Sequence, residues 1–308
     1  MQPDTVIFDI GNVIIPWVPT RAFEQVLPAE EVPALMERID FAAWNHANDA
    51  RRSIVEAEEE LVRRFPDDEV AIRAYRQNFL QTITTMVPGT AAVIAELGGS
   101  GTTIAALTNW SADMFTIART RFGILERFRD IVVSGEEGIV KPDPEIYRIA
   151  CERLGVDPGA AIFIDDSPAN VAAASDFGLT GLHFTSAERL RQDLVSLGLL
   201  GSRLEPRGPI FHWALGSDWT AAQAAGEYPW STRGVGYLRA GFVHCSFAEQ
   251  VTEVRAELFA DLPASELVLL RLDPEKDLPV LIEDGYPHLF APLPVDRVRV
   301  VDQEPAPV

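Results

Sequence analysis

Residues 6–14 read VIFDIGNVI. An apolar run ends in Asp9, a turn of Ile10, Gly11 and Asn12 follows, and the apolar run resumes at Val13. Aspartates at the end of a strand often come as a pair, Asp-x-Asp. Here the second position is Gly11. The stretch raises a fold question, whether this is the first strand of an α/β sheet. It also raises a chemical one, what survives when the first carboxylate stays and the second is gone.

The rest of the first two hundred residues answers the fold question. Apolar runs TVIFDI, TTIAAL, DIVVS, AAIFID and TGLHF are separated mostly by helical patterns. That alternation predicts an α/β domain, a doubly wound parallel sheet with helices on both faces. Continuous apolar strands, rather than alternating ones, fit strands buried on both sides. Residues 20 to 85 break the rhythm. They carry helical patterns such as SIVEAEEELVRRF and EVAIRAYRQNFLQTI and no convincing strand. A helical insertion directly after a strand's C-terminal end sits over the site face of the sheet, so residues of about 16–85 read as a cap.

A second boundary lies in GLLGSRLEPRGP, residues 198 to 209. Beyond it, PIFHWAL, LVLLRLD, PVLIED and RVRVVD read as short strands flanking two helical patterns, SDWTAAQAAG and FAEQVTEVRAELF. The expected division is 1–203 for the α/β domain with its cap and 209–308 for a small α+β domain. The length of 308 residues fits about two domains.

Net charge is −20, which argues against a nucleic-acid partner because an acidic surface repels phosphate backbones. No uncharged apolar run approaches the ~18–20 residues needed to span a bilayer, so no membrane association is expected. The N-terminus lacks a basic segment and runs straight into a strand pattern, so no signal peptide is expected. Cys151 and Cys245 stand far apart, poor material for a disulfide framework. The expected compartment is the cytoplasm.

Four segments carry polar residues at strand ends or helix starts: FDIGNV at Asp9, LTNWS at Thr108, VKPDPEIY at Lys141, and IDDSPANV at Asp165 and Asp166. In a doubly wound sheet the C-terminal ends of neighbouring strands share one crevice. Each segment also has a plainer reading. Asp9 can cap a turn, Thr108-Asn109 can N-cap the following helix, Lys141-Pro142 can be a loop, and Asp165-Asp166-Ser167-Pro168 can open a helix. That all four are plain, in this order and on one sheet face, is the weaker account.

Together, Asp9, Thr108, Lys141 and the Asp165-Asp166 pair resemble the four motifs of the haloacid dehalogenase-like (HAD) hydrolase superfamily. The resemblance covers about residues 5 to 200. Phrases such as KPDPEIY and IDDSPANVAAA resemble the branch of sugar-1-phosphate phosphatases and of the N-terminal phosphatase domain of bifunctional epoxide hydrolases. It implies hydrolysis of a small phosphorylated metabolite, with Mg²⁺ held by the Asp9 carboxylate, the Gly11 carbonyl and Asp166. Two close carboxylates repel unless a cation sits between them, and Mg²⁺ takes oxygen ligands and phosphate oxygens together. Asp165 and Asn170 would orient this shell. Asp9 would attack phosphorus. Thr108 and Asn109, expected at a helix N-terminus, and Trp110 beside them, would hold the substrate. Lys141 would add positive charge.

Gly11 keeps its carbonyl but lacks the carboxyl that, in most superfamily phosphatases, protonates the leaving oxygen. Such help is typically worth ~10²–10⁴-fold. Three readings follow: a slow phosphatase, one that prefers good leaving groups such as an anomeric sugar oxygen, or another reaction. Carbon–halogen hydrolysis needs no acid, but the superfamily's dehalogenases work without a metal and leave Asp165-Asp166 unexplained. A non-catalytic, ligand-sensing protein is the remaining alternative. The oligomeric state has no signature in the sequence.

In the second domain IFHWAL, GFVHCS, EDGYPHLFAPLP and RVRVVD resemble the family known as domain of unknown function 952, over about residues 209 to 302. His212, His244 and His288, with Cys245, Ser246 and Glu283, are a candidate polar cluster. The readings are a nucleotide or small-molecule pocket, satisfied structural histidines, or zinc, whose usual spacing is absent.

Overall fold

Five strands pair as one parallel sheet in the computed structural model, which describes residues 3–201, 208–274 and 278–301. They are β1 (Thr5–Phe8), β2 (Thr103–Thr108), β3 (Ile131–Val133), β4 (Ala161–Asp165) and β5 (Thr180–His183), in the order β3-β2-β1-β4-β5. The expected strands and their parallel sense are all present. β1 lies at the centre, with Ile7 opposite Ala105 on one side and Phe163 on the other. All four of its residues are buried, which is why its apolar run is unbroken. The chain fills one side of β1 with β2 and β3, then crosses to the other with β4 and β5. That reversal opens a crevice at the C-terminal ends of β1 and β4, where ligands bind in such sheets. Asp9 follows β1 and Asp165 ends β4.

The helix Pro144–Leu154 shows how local sequence sets these elements. Asp143 caps it by accepting from the Glu145 N–H at 2.9 Å, Pro144 opens it, and Gly155 ends it at a φ of 66°. Ile146, Tyr147, Ala150, Cys151 and Leu154 recur at helical spacing and pack on Phe163 and Val132. Loss of the Asp143 cap should cost about 1 kcal/mol.

The insertion is wholly helical, as expected: Thr20–Phe23, Val32–Arg38, Phe41–Asn48, Val55–Arg64, Glu69–Gln77 and Phe79–Thr82. Glu58 is buried between the two longest of these, and its carboxylate accepts from both Arg73 and Arg76. An unpaired charge there would be strongly destabilising, so the arginines are required by the burial. A chain of aromatic rings runs through the cap into the sheet domain. Phe41 meets Tyr75 at 5.0 Å, Tyr75 meets Phe79 at 6.3 Å, Phe79 meets Trp110 at 6.0 Å and Trp110 meets Phe115 at 5.6 Å between centroids.

The chain divides into two compact units. The first holds Met1–Thr90, Leu97–Arg121 and Leu125–Leu200; the second holds Gly201–Val308 with Ala91–Glu96 and Phe122–Ile124. The expected linker residues 202–207, the boundary at 203 and the final Asp302 of the last strand pattern lie outside the described residues. The second unit adds β6 (Ile210–Leu215), β7 (Trp230–Thr232), β8 (Val235–Gly236), β9 (Val243–His244), β10 (Leu267–Leu272), β11 (Val280–Glu283), β12 (Tyr286–Leu289) and β13 (Val298–Val301). They form antiparallel sheets β13-β10-β6, β11-β12-β9 and β7-β8. With the helices Gly216–Ala225 and Val251–Leu258 this is the expected small α+β architecture. No helix among the described residues is long and apolar enough to cross a membrane.

Candidate active site

Lys141 holds the centre of the site. It is 1% exposed, and its ammonium lies 2.8 Å from Asp9 Oδ1 and 2.7 Å from Asp165 Oδ2. It also donates to the Leu107 carbonyl at 2.9 Å. All three of its protons are therefore directed. Burial alone would lower the ammonium's pKa, but the Asp9 and Asp165 charges outweigh it and raise it. Asp165 is fully buried. It also accepts from the Ser167 N–H at 2.8 Å and from Asn170 Nδ2 at 3.1 Å. Both of its oxygens have donors, which suits a residue that orients its neighbours.

Asp9 follows β1 and is fixed by its own peptide, which donates to the Ile164 carbonyl at 2.7 Å. Burial pushes its carboxyl up to about 6, against the opposing pull of Lys141 and with a further push from Asp165. The turn after it depends on Asn12, whose φ is 55° and whose Oδ1 accepts from the Trp17 N–H at 3.1 Å. Asparagine tolerates that left-handed backbone better than most residues. Gly11 needs no such freedom. Its φ is not in the left-handed region, and a Cβ there would meet nothing within 4 Å. The missing side chain leaves open space.

Asp166 is half-buried, and burial followed by the Asp165 charge raises its pKa. One oxygen from each of Asp9, Asp165 and Asp166 lies within 4.8 Å of the others. A single ammonium cannot neutralise three carboxylates. The donor set is all oxygen, which suits a hard divalent cation.

The β2 side corrects one expectation. Thr108 and Asn109 do not start the following helix, which spans Ala112–Arg121. Its first turn instead hangs on Ser111, whose carbonyl accepts from the Phe115 N–H at 3.0 Å. Asn109 is engaged elsewhere. Its Oδ1 accepts from the Lys141 N–H at 2.8 Å, and its Nδ2 donates to the Lys141 carbonyl at 3.0 Å. Thr108 ends β2 and is buried. Trp110 is held by its N–H, which donates to Ser134 Oγ at 2.9 Å.

A cavity of about 170 Å³ opens over these residues. Asp9, Gly11, Asn109, Trp110 and Asp166 line one side, and Trp17, Asn45, Asp49 and Tyr75 line the other, where the cap begins. Lys141 and Thr108 are not among the lining residues. Sequence reasoning missed the cap contributors. Among them Asp49 carries a carboxyl that burial, and then the Asp9 charge, push up to about 7 against Lys141. Its one signal in the sequence was a polar residue closing an otherwise ordinary helix, which many surface helices share.

A family profile described as haloacid dehalogenase-like hydrolase matches residues 3–178, more than half of the chain. The chain belongs to the haloacid dehalogenase-like hydrolases. A second profile, of the protein family of unknown function DUF952, matches residues 214–301. A flavin mononucleotide hydrolase of Arabidopsis thaliana, named as chloroplastic, is 49% identical over 59 residues, 19% of this chain and 24% of that protein. The chain therefore matches about a quarter of that relative's length. A sesquiterpene phosphatase of Aspergillus oryzae is 28% identical over 185 residues, 59% of this chain and 89% of that protein. A HAD-like family hydrolase of Porphyromonas gingivalis has the same fold, with a TM-score of 0.51 at 18% identity over 64% of this chain and 98% of its own. So has a HAD family enzyme of Bacteroides thetaiotaomicron solved with magnesium and inorganic phosphate, with a TM-score of 0.50 at 18% identity over 60% of this chain and 95% of its own.

Beyond the haloacid dehalogenase-like domain, part of the candidate histidine cluster comes together. His212 is buried, and its Nδ1 donates to the His244 carbonyl at 2.7 Å. Burial lowers its pKa to about 4, so the ring is neutral and Nε2 accepts from the Tyr228 hydroxyl at 3.0 Å. That is a satisfied structural histidine. His244 Nδ1 pairs with Ser231 Oγ at 2.8 Å, and His288 Nδ1 with Glu283 at 2.9 Å. The His244 and His288 rings lie 5.4 Å apart. Ser246 pairs with the Phe211 backbone instead, and the buried Cys245 thiol is pushed up to about 12 by burial. Among the described residues no metal-binding group of three side chains forms here.

Proposed function

We propose that the first unit is a Mg²⁺-dependent phosphatase of small phosphate monoesters, working through Asp9. One observation carries the reading. Asp9 is held by Lys141, close to Asp166, and lines a cavity that the cap also borders. A cavity of about 170 Å³ is below the ~300–1,000 Å³ of drug-sized pockets and fits a small substrate such as a sugar phosphate. The named relatives support the reaction class, since one is by name a flavin mononucleotide hydrolase and another a sesquiterpene phosphatase. The Bacteroides neighbour was solved with magnesium and inorganic phosphate.

The residues fit a divalent ion. The Asp9 carboxylate, the Gly11 carbonyl and Asp166 would hold it, with Asp165 and Asn170 keeping them oriented. When bound, the ion supplies positive charge to the carboxylates and to the phosphoryl oxygens. The chain's own groups do the rest. Lys141 keeps Asp9 ionised and aimed. Asp9 Oδ attacks phosphorus, the bond to the leaving oxygen breaks, and an aspartyl-phosphate forms. Water then attacks that phosphorus and releases phosphate and the free Asp9 carboxylate. The Thr108 hydroxyl holds a phosphoryl oxygen, and Asn109 acts on Lys141 rather than on the substrate. Trp110 walls the leaving-group side.

The same reading keeps this activity within residues 1–203, places it in the cytoplasm and leaves residues 209–308 without assigned chemistry. The convergence of three carboxylates argues for the phosphatase over the metal-free dehalogenase. The test is turnover of p-nitrophenyl phosphate by the full chain with Mg²⁺ and with excess chelator, beside a panel of phosphorylated metabolites. Release of halide from a 2-haloacid, with no phosphate release, would reverse the reading.

A further inference from the structure

We infer that Asp49, carried on the cap, gives and takes the proton that Gly11 cannot. This rests on the phosphatase reading above and adds its missing acid–base group.

Asp49 closes the helix Phe41–Asn48, with its N–H donating to the Asn45 carbonyl at 3.1 Å. The segment that follows is pinned to the sheet domain. The Asp49 carbonyl accepts from Ser134 Oγ. The Arg51 and Arg52 carbonyls accept from the Ala112 and Asp113 N–H groups, each at 3.1 Å. Asp113 Oδ2 accepts from Ser53 Oγ at 2.9 Å and from the Ile54 N–H at 3.0 Å. Asp49 therefore has a set position over the site, although it belongs to the cap.

Its carboxyl is the only part of it not so engaged. Among the described residues it makes no hydrogen bond or ion pair, and it is half-buried. A half-buried carboxyl fixed in place by its backbone yet left without a partner calls for an explanation. Its surroundings supply one. It lines the cavity that holds Asp9, Gly11 and Asp166. It also lines an adjoining cavity of about 340 Å³ within the cap, together with Met36, Phe41 and His46. Trp17 and Asn45 border both spaces as well. A phosphoryl group over Asp9 with its organic part in the cap would place the bridging oxygen at this junction. The charged neighbours that act on Asp49 are Asp9 and Lys141 from the sheet domain, and Tyr75 faces it within the cap. Burial favours the protonated form of a carboxyl, the form a donor requires.

The step balances. As Asp9 Oδ bonds to phosphorus and the bond to the leaving oxygen breaks, the Asp49 proton passes to that oxygen, giving the free alcohol. The Asp49 carboxylate then takes a proton from the water whose oxygen attacks the aspartyl-phosphate. The bond from phosphorus to Asp9 breaks, and both aspartates return to their starting forms.

The test compares ethyl phosphate, a poor leaving group, with p-nitrophenyl phosphate, a good one, using the full chain with Mg²⁺. Asp49→Asn and Asp49→Ala should lower kcat on ethyl phosphate by about 10²–10⁴-fold. The loss on p-nitrophenyl phosphate should be at least about tenfold smaller, because that leaving group needs little proton transfer. Both variants replace a carboxyl that has no hydrogen-bond partner among the described residues, so both should fold. Unchanged inhibition by inorganic phosphate shows that the phosphate site is intact. Adding Gly11→Asp to Asp49→Asn should return part of the lost rate. Equal losses on both esters, or none, overturn the role of Asp49. The wider reading stands or falls separately: it fails if wild type hydrolyses neither ester, or if Asp9→Asn changes nothing.

Discussion

The Asn109 carboxamide clasps the Lys141 peptide at both ends, donating to its carbonyl at 3.0 Å and accepting from its N–H at 2.8 Å. A side chain after β2 thereby reproduces the pairing of a neighbouring strand, and the ammonium that serves Asp9 and Asp165 is held from behind. Asn109→Ala should lower kcat by about 10–100-fold, the usual scale for groups that orient a site from outside it. KM should change little. A rise in KM with unchanged kcat would place Asn109 on the substrate instead.

Asp9→Asn should abolish turnover, since an amide is a far poorer nucleophile than a carboxylate. The variant should remain folded, because the Lys141 ammonium keeps Asp165 and the Leu107 carbonyl. Near-normal phosphate release from a folded Asp9→Asn protein would remove Asp9 from the mechanism.

Mg²⁺ should raise both activity and the melting temperature. Binding to the native state alone stabilises by about 2.7 kcal/mol at a hundredfold excess over Kd. Asp166→Asn should lose most of that thermal shift, because it takes away a ligand without disturbing the Lys141 pairs. Full activity in excess chelator would favour the dehalogenase reading.

Gly11→Asp is expected to be tolerated, since the position has open space and an ordinary φ. In the wild-type background a gain in rate should be larger for alkyl phosphates than for p-nitrophenyl phosphate. A stable Gly11→Asp protein with no such difference would show that leaving-group protonation does not limit the enzyme.

Stability should vary with pH through Asp49. Its folded pKa of about 7 lies above the ordinary 3.8, so the folded state binds the proton more tightly than the unfolded chain. The stability linked to that proton is complete below about pH 4 and is lost as pH rises through about 7. In chelator, Asp49→Asn should therefore be more stable than wild type above about pH 7, by roughly 2–4 kcal/mol. The advantage should vanish near pH 4. Thermal unfolding across that range measures it, and equal melting curves at alkaline pH would contradict it.

The sheet was legible because burial on both faces writes an unbroken run of buried residues into its central strands, as in TVIF and AIFID. The positions of Asp9, Lys141 and Asp165 were legible because strand ends converge in this topology. The two-residue β8 and the three-residue β7 left no comparable pattern. The start of the helix at Ala112 was misplaced because Asn109 suits both a cap and a cross-strand clasp, and only Lys141, 32 residues away, decides between them. Asp49 was invisible for a related reason. Its role depends on where a helix end comes to rest, and nothing in FAAWNHAND distinguishes it from a solvated terminus.

The aromatic chain through the cap has an optical consequence. Trp17 and Trp110 both line the cavity, one beside Phe41 at 6.2 Å and the other between Phe79 and Phe115. The Phe79–Trp110 edge, at 6.0 Å, is where the insertion's rings meet those of the sheet domain. A contact of that kind contributes about 0.5–1.5 kcal/mol, little enough to be broken and remade within a turnover. Parting it would carry an indole from an apolar wall into water. The molecule thus carries a native fluorophore where the insertion's rings meet those of the sheet domain, and a shift in its emission would report any parting of that contact without a dye.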